Sequence, residues 1–257
     1  MIKLENVGKR YGKSWVLENI TFHTEEGNVI GIIGKNGSGK TTLLKIISGI
    51  LKPTVGNVYL KSKLISYIPE KPILIPELSL KENLNYFAKM RNVESKRIED
   101  EIKFFRLEKH VLKKPSELSK GLRQRLSMAI SLLIDPDIIL LDEPTSGLDA
   151  ESKKIISNRI KKLKLNKKTV LYITHEDEEV ESICDKVLIL EEGEIKFFGT
   201  VEDFWRKYER FVYVTFSQTK EIKLLKLEEL KNVKEDLLHV RSVGIREFLS
   251  GGMVYER

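Results

Sequence analysis

The run Gly34-Lys-Asn-Gly-Ser-Gly-Lys-Thr41 constrains this chain more than any other feature, because of what stands on either side of it. Before it, Asn28-Val-Ile-Gly-Ile-Ile33 is short, β-branched and uncharged, the composition of a strand buried on both faces of a parallel sheet. After it, Leu43, Leu44, Ile46 and Ile47 fall at helical spacing. Strand, glycine turn and helix in that order belong to an α/β layer. Gly34, Gly37 and Gly39 lack a Cβ, so the backbone can turn several N–H groups inward onto an anion, and the helix start beyond them adds partial positive charge. Lys40 is then placed to reach the β and γ oxygens of a nucleoside triphosphate, with the Thr41 hydroxyl as a ligand for the Mg²⁺ that bridges them. A glycine-rich turn beside an ordinary surface lysine is the bland alternative, and the flanking strand and helix count against it. The loop alone leaves kinases, GTPases and many ATPases open.

A second segment narrows the choice. Asp137-Ile-Ile-Leu-Leu-Asp142-Glu143 is an apolar strand ending in two carboxylates, and neighbours on a strand point to opposite faces. The two therefore suit different roles: Asp142 is suited to hold Mg²⁺ through water, and Glu143 can point at the γ-phosphate and orient or deprotonate the attacking water. Leu118-Ser-Lys-Gly-Leu-Arg-Gln-Arg125 precedes an amphipathic stretch with Leu122, Leu126, Ala129, Ile130 and Leu133. Ser146-Gly-Leu-Asp149 follows the acidic pair, and Thr174-His175-Glu176 follows another apolar strand, Thr169 to Ile173. In this order, with Tyr11 upstream, these segments resemble the signature motif, D-loop, switch histidine and aromatic loop of ATP-binding cassette (ABC) proteins. The resemblance runs from about Ile2 to Tyr208.

The resemblance implies a two-protomer sandwich with ATP between the halves. Tyr11 would stack on adenine. Gly34, Asn36, Gly37, Ser38, Gly39, Lys40, Thr41 and Thr42 would wrap the phosphates, and His175 would contact the γ-phosphate and join Glu143 and Lys40 in catalysis. Ser119 and Gly121, at a helix N-terminus, would bind the γ-phosphate held by the opposite protomer, where orphan N–H groups and the helix dipole favour an anion. Thr41, Glu70 and Asp142 would serve Mg²⁺. The chain departs from the family pattern at two points: Lys120 replaces the first glycine of the signature, and Glu70 follows Pro69 where most members carry glutamine. Glu70 still offers oxygen, as a harder and more charged ligand than an amide.

Composition agrees with this reading. A chain of 257 residues with 41% hydrophobic residues supports one large α/β domain with an appendage. No apolar run approaches the roughly 18 to 20 residues that span a bilayer. Met1-Ile-Lys-Leu-Glu has neither a charged leader nor a cleavable apolar stretch, and the single cysteine, Cys184, excludes an intrachain disulfide; the expected location is cytoplasmic. The net charge of +7 arises from interspersed Lys and Glu, which favours a soluble surface over nucleic-acid binding. Lys161-Lys-Leu-Lys164 and Lys167-Lys168 read as solvated lysines around a helix end.

Along the chain, Ile2 to Val7 and Trp15 to Phe22 form an antiparallel edge layer, and Val58 to Tyr67 a further pair of strands. Ser79-Leu-Lys-Glu82 is a capping box opening a helical insert of about 79–134. Its aromatics Tyr86, Phe87, Phe104 and Phe105 read as core more than contact surface. A hairpin from Asp185 to Gly199 turns at Glu191-Glu-Gly-Glu194, and a terminal helix starts at Thr200. Beyond it, Phe211 to Phe216 reads as a strand, Leu224 to Leu230 as helix, and Leu237 to Val243 and Met253 to Tyr255 as strands.

The expected fold is thus α/β: a P-loop ATPase cassette with a mixed central sheet, an antiparallel β edge layer and the helical insert in residues 1–209, and a small α+β appendage in 210–257. The function this implies is that of the ATP-hydrolysing subunit of an ABC transporter, with export favoured. It would use ATP and Mg²⁺, pair as a homodimer or paralogous heterodimer, and drive integral membrane permease subunits from the cytoplasmic face of the membrane, with no nucleic-acid partner. Within the same fold the alternative is a soluble ABC ATPase acting on DNA or ribosomes, whose relatives typically carry a long coiled-coil insertion or two cassettes. A regulatory nucleotide-binding module has no need of Glu143, and a P-loop kinase has no role for Ser119 or for Ser146 to Asp149.

Overall fold

The computed structural model describes residues 1–208, 210–233 and 236–250, the side chain of Ser250 excepted. In chain order the strands are β1 (Ile2–Tyr11), β2 (Ser14–Thr24), β3 (Val29–Ile33), β4 (Val55–Leu60), β5 (Ile65–Ile68), β6 (Ile138–Asp142), β7 (Thr169–Ile173), β8 (Lys186–Glu191), β9 (Glu194–Thr200), β10 (Phe211–Phe216), β11 (Ile222–Lys226) and β12 (Leu237–Ser242). The helices are α1 (Lys40–Ile47), α2 (Leu80–Met90), α3 (Ser95–Phe104), α4 (Lys120–Leu132), α5 (Ala150–Leu165), α6 (Asp177–Ile183), α7 (Val201–Tyr208) and α8 (Ile245–Ser250).

Six strands form the central sheet in the order β5-β6-β7-β3-β8-β9, all parallel except β9, which returns antiparallel from β8. Every residue of β3, β6 and β7 is buried, so these strands read as unbroken apolar runs and the pleat decides which layer each side chain joins. Val29, Ile33, Ile139, Leu141, Val170 and Tyr172 face the helices of the insert together with α5; Ile30, Ile32, Ile138, Leu140, Leu171 and Ile173 face the other way. On that second side Leu43, Leu44, Ile46 and Ile47 pin α1 between the central sheet and the antiparallel layer β2-β1-β4. The parallel order sets the carboxyl ends of β3, β6 and β7 side by side, which is where an open α/β sheet binds its ligand.

Local rules fix the helix starts. Ser79 Oγ accepts from the Glu82 backbone N–H at 3.3 Å while Glu82 accepts from the Ser79 N–H at 2.7 Å, the reciprocal box expected for α2. Ser119 caps α4 through Leu122 N–H, and Asp149 caps α5 through Ser152 N–H. In the insert, Phe105 is fully buried, Phe87 and Phe104 pack against the same core, and Tyr86 stands exposed. Cys184 is buried, and desolvation pushes its thiol well above the ordinary range, consistent with a packing role.

Three expectations need correction. Leu224 to Leu230 is not one helix: β11 ends at Lys226 and a 3₁₀ turn covers Leu227–Asn232, since Leu224 and Leu225 pair with Tyr213 and Val212 of β10. Lys168 is not merely solvated: its ammonium lies 3.1 Å from Asp137 and 3.3 Å from Asp135, tying the end of α5 to the entry of β6, and Lys164 pairs with Asp185 at 2.6 Å. The strand pleat is not what separates Asp142 from Glu143. β6 ends at Asp142, and Glu143 turns into the left-handed region at φ +49°, so the strand alternation stops before it and its carboxylate meets His175. The expected strand at Met253 to Tyr255 lies outside the described residues.

The terminal segment builds a separate three-stranded antiparallel sheet, β11-β10-β12, with Val212, Val214 and Phe216 at its small core. Val243, Ile245 and Phe248 return to the main core, where Phe248 meets Phe204, Trp205, Tyr208 and Phe211 at centroid distances of 5.8 to 6.0 Å.

Candidate nucleotide site

A cavity of about 620 Å³ opens at the carboxyl ends of the parallel strands, lined by Val16, Asn36, Gly37, Gly39, Lys40, Thr41, Thr42, Glu70, Glu143, His175 and Arg246. The loop between β3 and α1 supplies its floor. Gly37 and Gly39 sit at φ +83° and +102°, angles that a side chain strains against, and a Cβ on Gly39 would stand 2.6 Å from Leu17 Cδ2. The buried Ser38 hydroxyl has no hydrogen-bond partner within the protein, as suits a loop whose polar groups serve an anion. Lys40 Nζ donates to the carbonyls of Gly34 at 2.8 Å and Lys35 at 3.0 Å, so its ammonium is held at the mouth of the loop. Burial lowers the Lys40 pKa, the carboxylates of Glu143 and Asp142 oppose that shift, and Arg246 adds to it.

The acidic residues come from the neighbouring strand. Asp142 is buried and accepts from Thr41 Oγ1 at 3.2 Å and from the Tyr67 hydroxyl at 3.0 Å, so one carboxylate bridges the phosphate loop and β5. Burial and the adjacent Asp142 charge push the Tyr67 phenol up, which keeps it a donor. Glu143 Oε1 lies 2.7 Å from His175 Nε2. The separation of this pair is set from behind: Glu179 accepts from Thr145 and Thr174, two residues after Glu143 and one before His175, at 3.0 and 2.6 Å, and also from the Tyr172 hydroxyl. Burial and Glu179 push the Tyr172 phenol up.

The sequence-expected residues fall into two groups. Asn36, Gly37, Gly39, Lys40, Thr41, Thr42, Glu70, Glu143 and His175 line one cavity, with Ser38 and Asp142 just beneath. Gly34 lines an adjoining cavity, and a Cβ there would fall 2.1 Å from the Leu190 carbonyl. Tyr11, Ser119 and Gly121 do not line the phosphate cavity: Tyr11 ends β1 and is exposed, and Ser119 and Gly121 open α4. Gly121 is hemmed in by Ser152 Oγ, 2.3 Å from where its Cβ would be. Lys120, which departs from the signature pattern, and Arg123, which precedes Gln124 in the same segment, both have partners. Lys120 Nζ donates to the Ser146 carbonyl at 2.6 Å, and Arg123 Nη1 to the Leu118 carbonyl at 2.5 Å. Val16, Tyr67, Glu179 and Arg246 were not singled out from sequence. Tyr67 reaches Asp142 because register sets it opposite Leu140, two residues from Asp142 on the adjacent strand.

Arranged this way, the site offers a glycine cradle, a cation, a hydroxyl beside a buried carboxylate, and a second carboxylate paired with a histidine. That is the equipment for binding a nucleotide and activating water at its terminal phosphate. Residues 17–146 match the family model described as ABC transporter. The chain is 36% identical over 217 residues to an uncharacterised ABC transporter ATP-binding protein of Methanocaldococcus jannaschii, covering 83% of this chain and 82% of that one. It is 34% identical over 207 residues to Nod factor export ATP-binding protein I of Burkholderia orbicola, covering 75% and 68%. Among solved structures it superposes with a TM-score of 0.71 and 31% identity on a dimeric ATP-binding cassette in a post-hydrolysis state bound to ADP and Pi, covering 78% of this chain and 99% of that one. With cradle, acidic pair, histidine and sheet order all in place, the chain belongs to the ATP-binding subunits of ABC transporters and is an ATP hydrolase.

Proposed function

We propose that this chain is the motor subunit of an ABC exporter, working as a pair of cassettes that close on two ATP molecules and pull on separate membrane permeases. The observation that carries the reading is the Glu143–His175 pair at 2.7 Å in the same cavity as Lys40 and Thr41. In this reading Lys40 and the loop amides bind the β- and γ-phosphates, Glu143 takes the proton of the attacking water, and His175 holds Glu143 and the γ-phosphate in register. Tyr11, exposed at the tip of the edge layer, offers a face for adenine. Ser119 and Gly121, outside the cavity, serve the nucleotide of the opposite cassette.

Mg²⁺ fits the donors present. Thr41 Oγ1 and Asp142 are hard oxygen ligands beside the cradle, and Glu70 lines the same cavity. Among the described residues no group of three or more His, Cys, Asp or Glu converges as a metal site, so the ion would share these few ligands with phosphate oxygens. When bound, it neutralises charge that develops on the phosphates. Among the described residues no helix is long and apolar enough to cross a membrane, which accords with permeases supplied by other chains and a motor seated on the cytoplasmic face. Export accords with the name of the Nod factor relative. On this reading residues 1–209 are the ATPase unit and 210–257 an appendage to it.

The test is Glu143→Gln, which keeps shape but accepts no proton. Turnover should fall by about a hundred-fold or more, while Mg-ATP now holds a stable dimer by light scattering. A variant with wild-type hydrolysis that stays monomeric removes both the base and the sandwich.

A further inference from the structure

Arg246 lines the phosphate cavity together with Lys40, Glu143 and His175, yet it belongs to the terminal segment, on α8. Three constraints bring it there. Its Nη1 donates to the His175 carbonyl at 2.9 Å, and its backbone N–H donates to Asp177 Oδ1 at 2.7 Å. Two residues on, Phe248 is buried in the aromatic cluster that holds α7 and β10 against the core. The approach is close: a Cβ on Gly244 would fall 2.2 Å from Asp177 Cγ, so only glycine lets the chain enter α8 this near to α6. Arg246 also borders a second cavity of about 280 Å³ beside Gly34, Lys35 and Asn36, so it stands on the wall between the two.

An arginine at a surface ordinarily keeps its head in water. Here the head bonds the backbone of the residue whose imidazole holds Glu143, and its positive charge is felt at Lys40. A guanidinium with one N–H committed to a carbonyl retains further donors in a planar fork, the geometry that matches phosphate oxygens. We propose that Arg246 is a phosphate-binding residue: its guanidinium contacts the terminal phosphate of ATP beside Lys40, so the appendage registers whether that phosphate is present. The inference rests on the reading of the cavity as an ATP site. It goes further by making the appendage part of that site.

The experiment compares Mg-ATP and Mg-ADP by calorimetric titration of the full chain carrying Glu143→Gln, with Arg246 intact, Arg246→Ala or Arg246→Lys. Losing a charge-assisted contact to the terminal phosphate should weaken ATP by about ten-fold or more and ADP by less than about two-fold. Arg246→Lys, which keeps the charge without the fork, should fall between. Hydrogen exchange gives a second readout: ATP but not ADP should slow amide exchange over 245–249, and Arg246→Ala should abolish the difference. Equal weakening of both nucleotides would make Arg246 an anchor for His175 only and overturn the proposal, as would unchanged ATP affinity. Should Arg246→Ala fail to fold, Arg246→Lys decides by the same comparison. If the chain with Arg246 intact binds neither nucleotide, the cavity reading itself fails and takes this inference with it.

Discussion

On the proposed reading, Lys40 serves the chain's own nucleotide and Ser119 that of a second cassette. Lys40 is buried at the mouth of the cradle, whereas Ser119 caps α4 outside the cavity. Lys40→Ala should therefore abolish ATP binding to the isolated chain, while Ser119→Ala should leave it within about two-fold and remove hydrolysis. Fluorescent-nucleotide titration with a turnover assay reads both, and equal loss of binding would refute the trans contact. These side chains were legible in the sequence because their chemistry is local: glycine, lysine, hydroxyl and carboxylate occur at fixed offsets on consecutive residues. Tyr67 and Glu179 were not, because each acts through partners set by strand register or by two loops meeting. No spacing rule encodes that Glu179 accepts from Thr145, Thr174 and Tyr172 at once.

At the scale of elements, the insert is fastened to α5 by a buried ion pair between Glu101 of α3 and Arg159, whose guanidinium also stands 4.7 Å from the centroid of the Phe104 ring. Burial raises the Glu101 carboxyl and lowers Arg159, and each charge offsets the shift of the other. Removing one member strands a buried charge. Arg159→Met should cost about 3–5 kcal/mol, and adding Glu101→Gln should recover part of it. Urea denaturation of the two variants checks both, and additive losses would contradict the coupling. Central strands and capped helices were legible because four or five apolar residues in a row, or a serine three places before a glutamate, admit few alternatives. β11 was not, since Leu224, Leu225, Leu227 and Leu230 suit helical spacing as well as strand pairing, and only β10 resolves the choice. α8 did carry a sign: Ile245, Phe248 and Leu249 recur at i, i+3 and i+4.

At the scale of the whole molecule, two large apolar layers on either face of one sheet account for the order of the elements, and both could be anticipated from the strand-loop-helix signal around Gly34. The return of the terminal segment to the cavity could not. It depends on Phe248 entering an aromatic cluster contributed by α7 and Phe211, one stretch well before it in the chain, and sequence separation hides such an encounter.

The backbone N–H of Val243 donates to the carbonyl of Phe211 at 2.9 Å, so the chain leaves for β10–β12 and comes back at nearly the same point. The intervening sheet is an excursion with its two feet together, and closure entropy varies only with the logarithm of length. Such a segment can be lengthened, swapped or lost without moving what lies before or after it. Replacing residues 212–242 by a short Gly-Ser bridge should shift the melting temperature by no more than a few degrees, with α8 still seated on α6. A collapse of the melting transition would mean that the sheet holds the feet together rather than the reverse. Lineages bearing this cassette are thereby free to graft a recognition module at that junction, with the engine beneath left undisturbed.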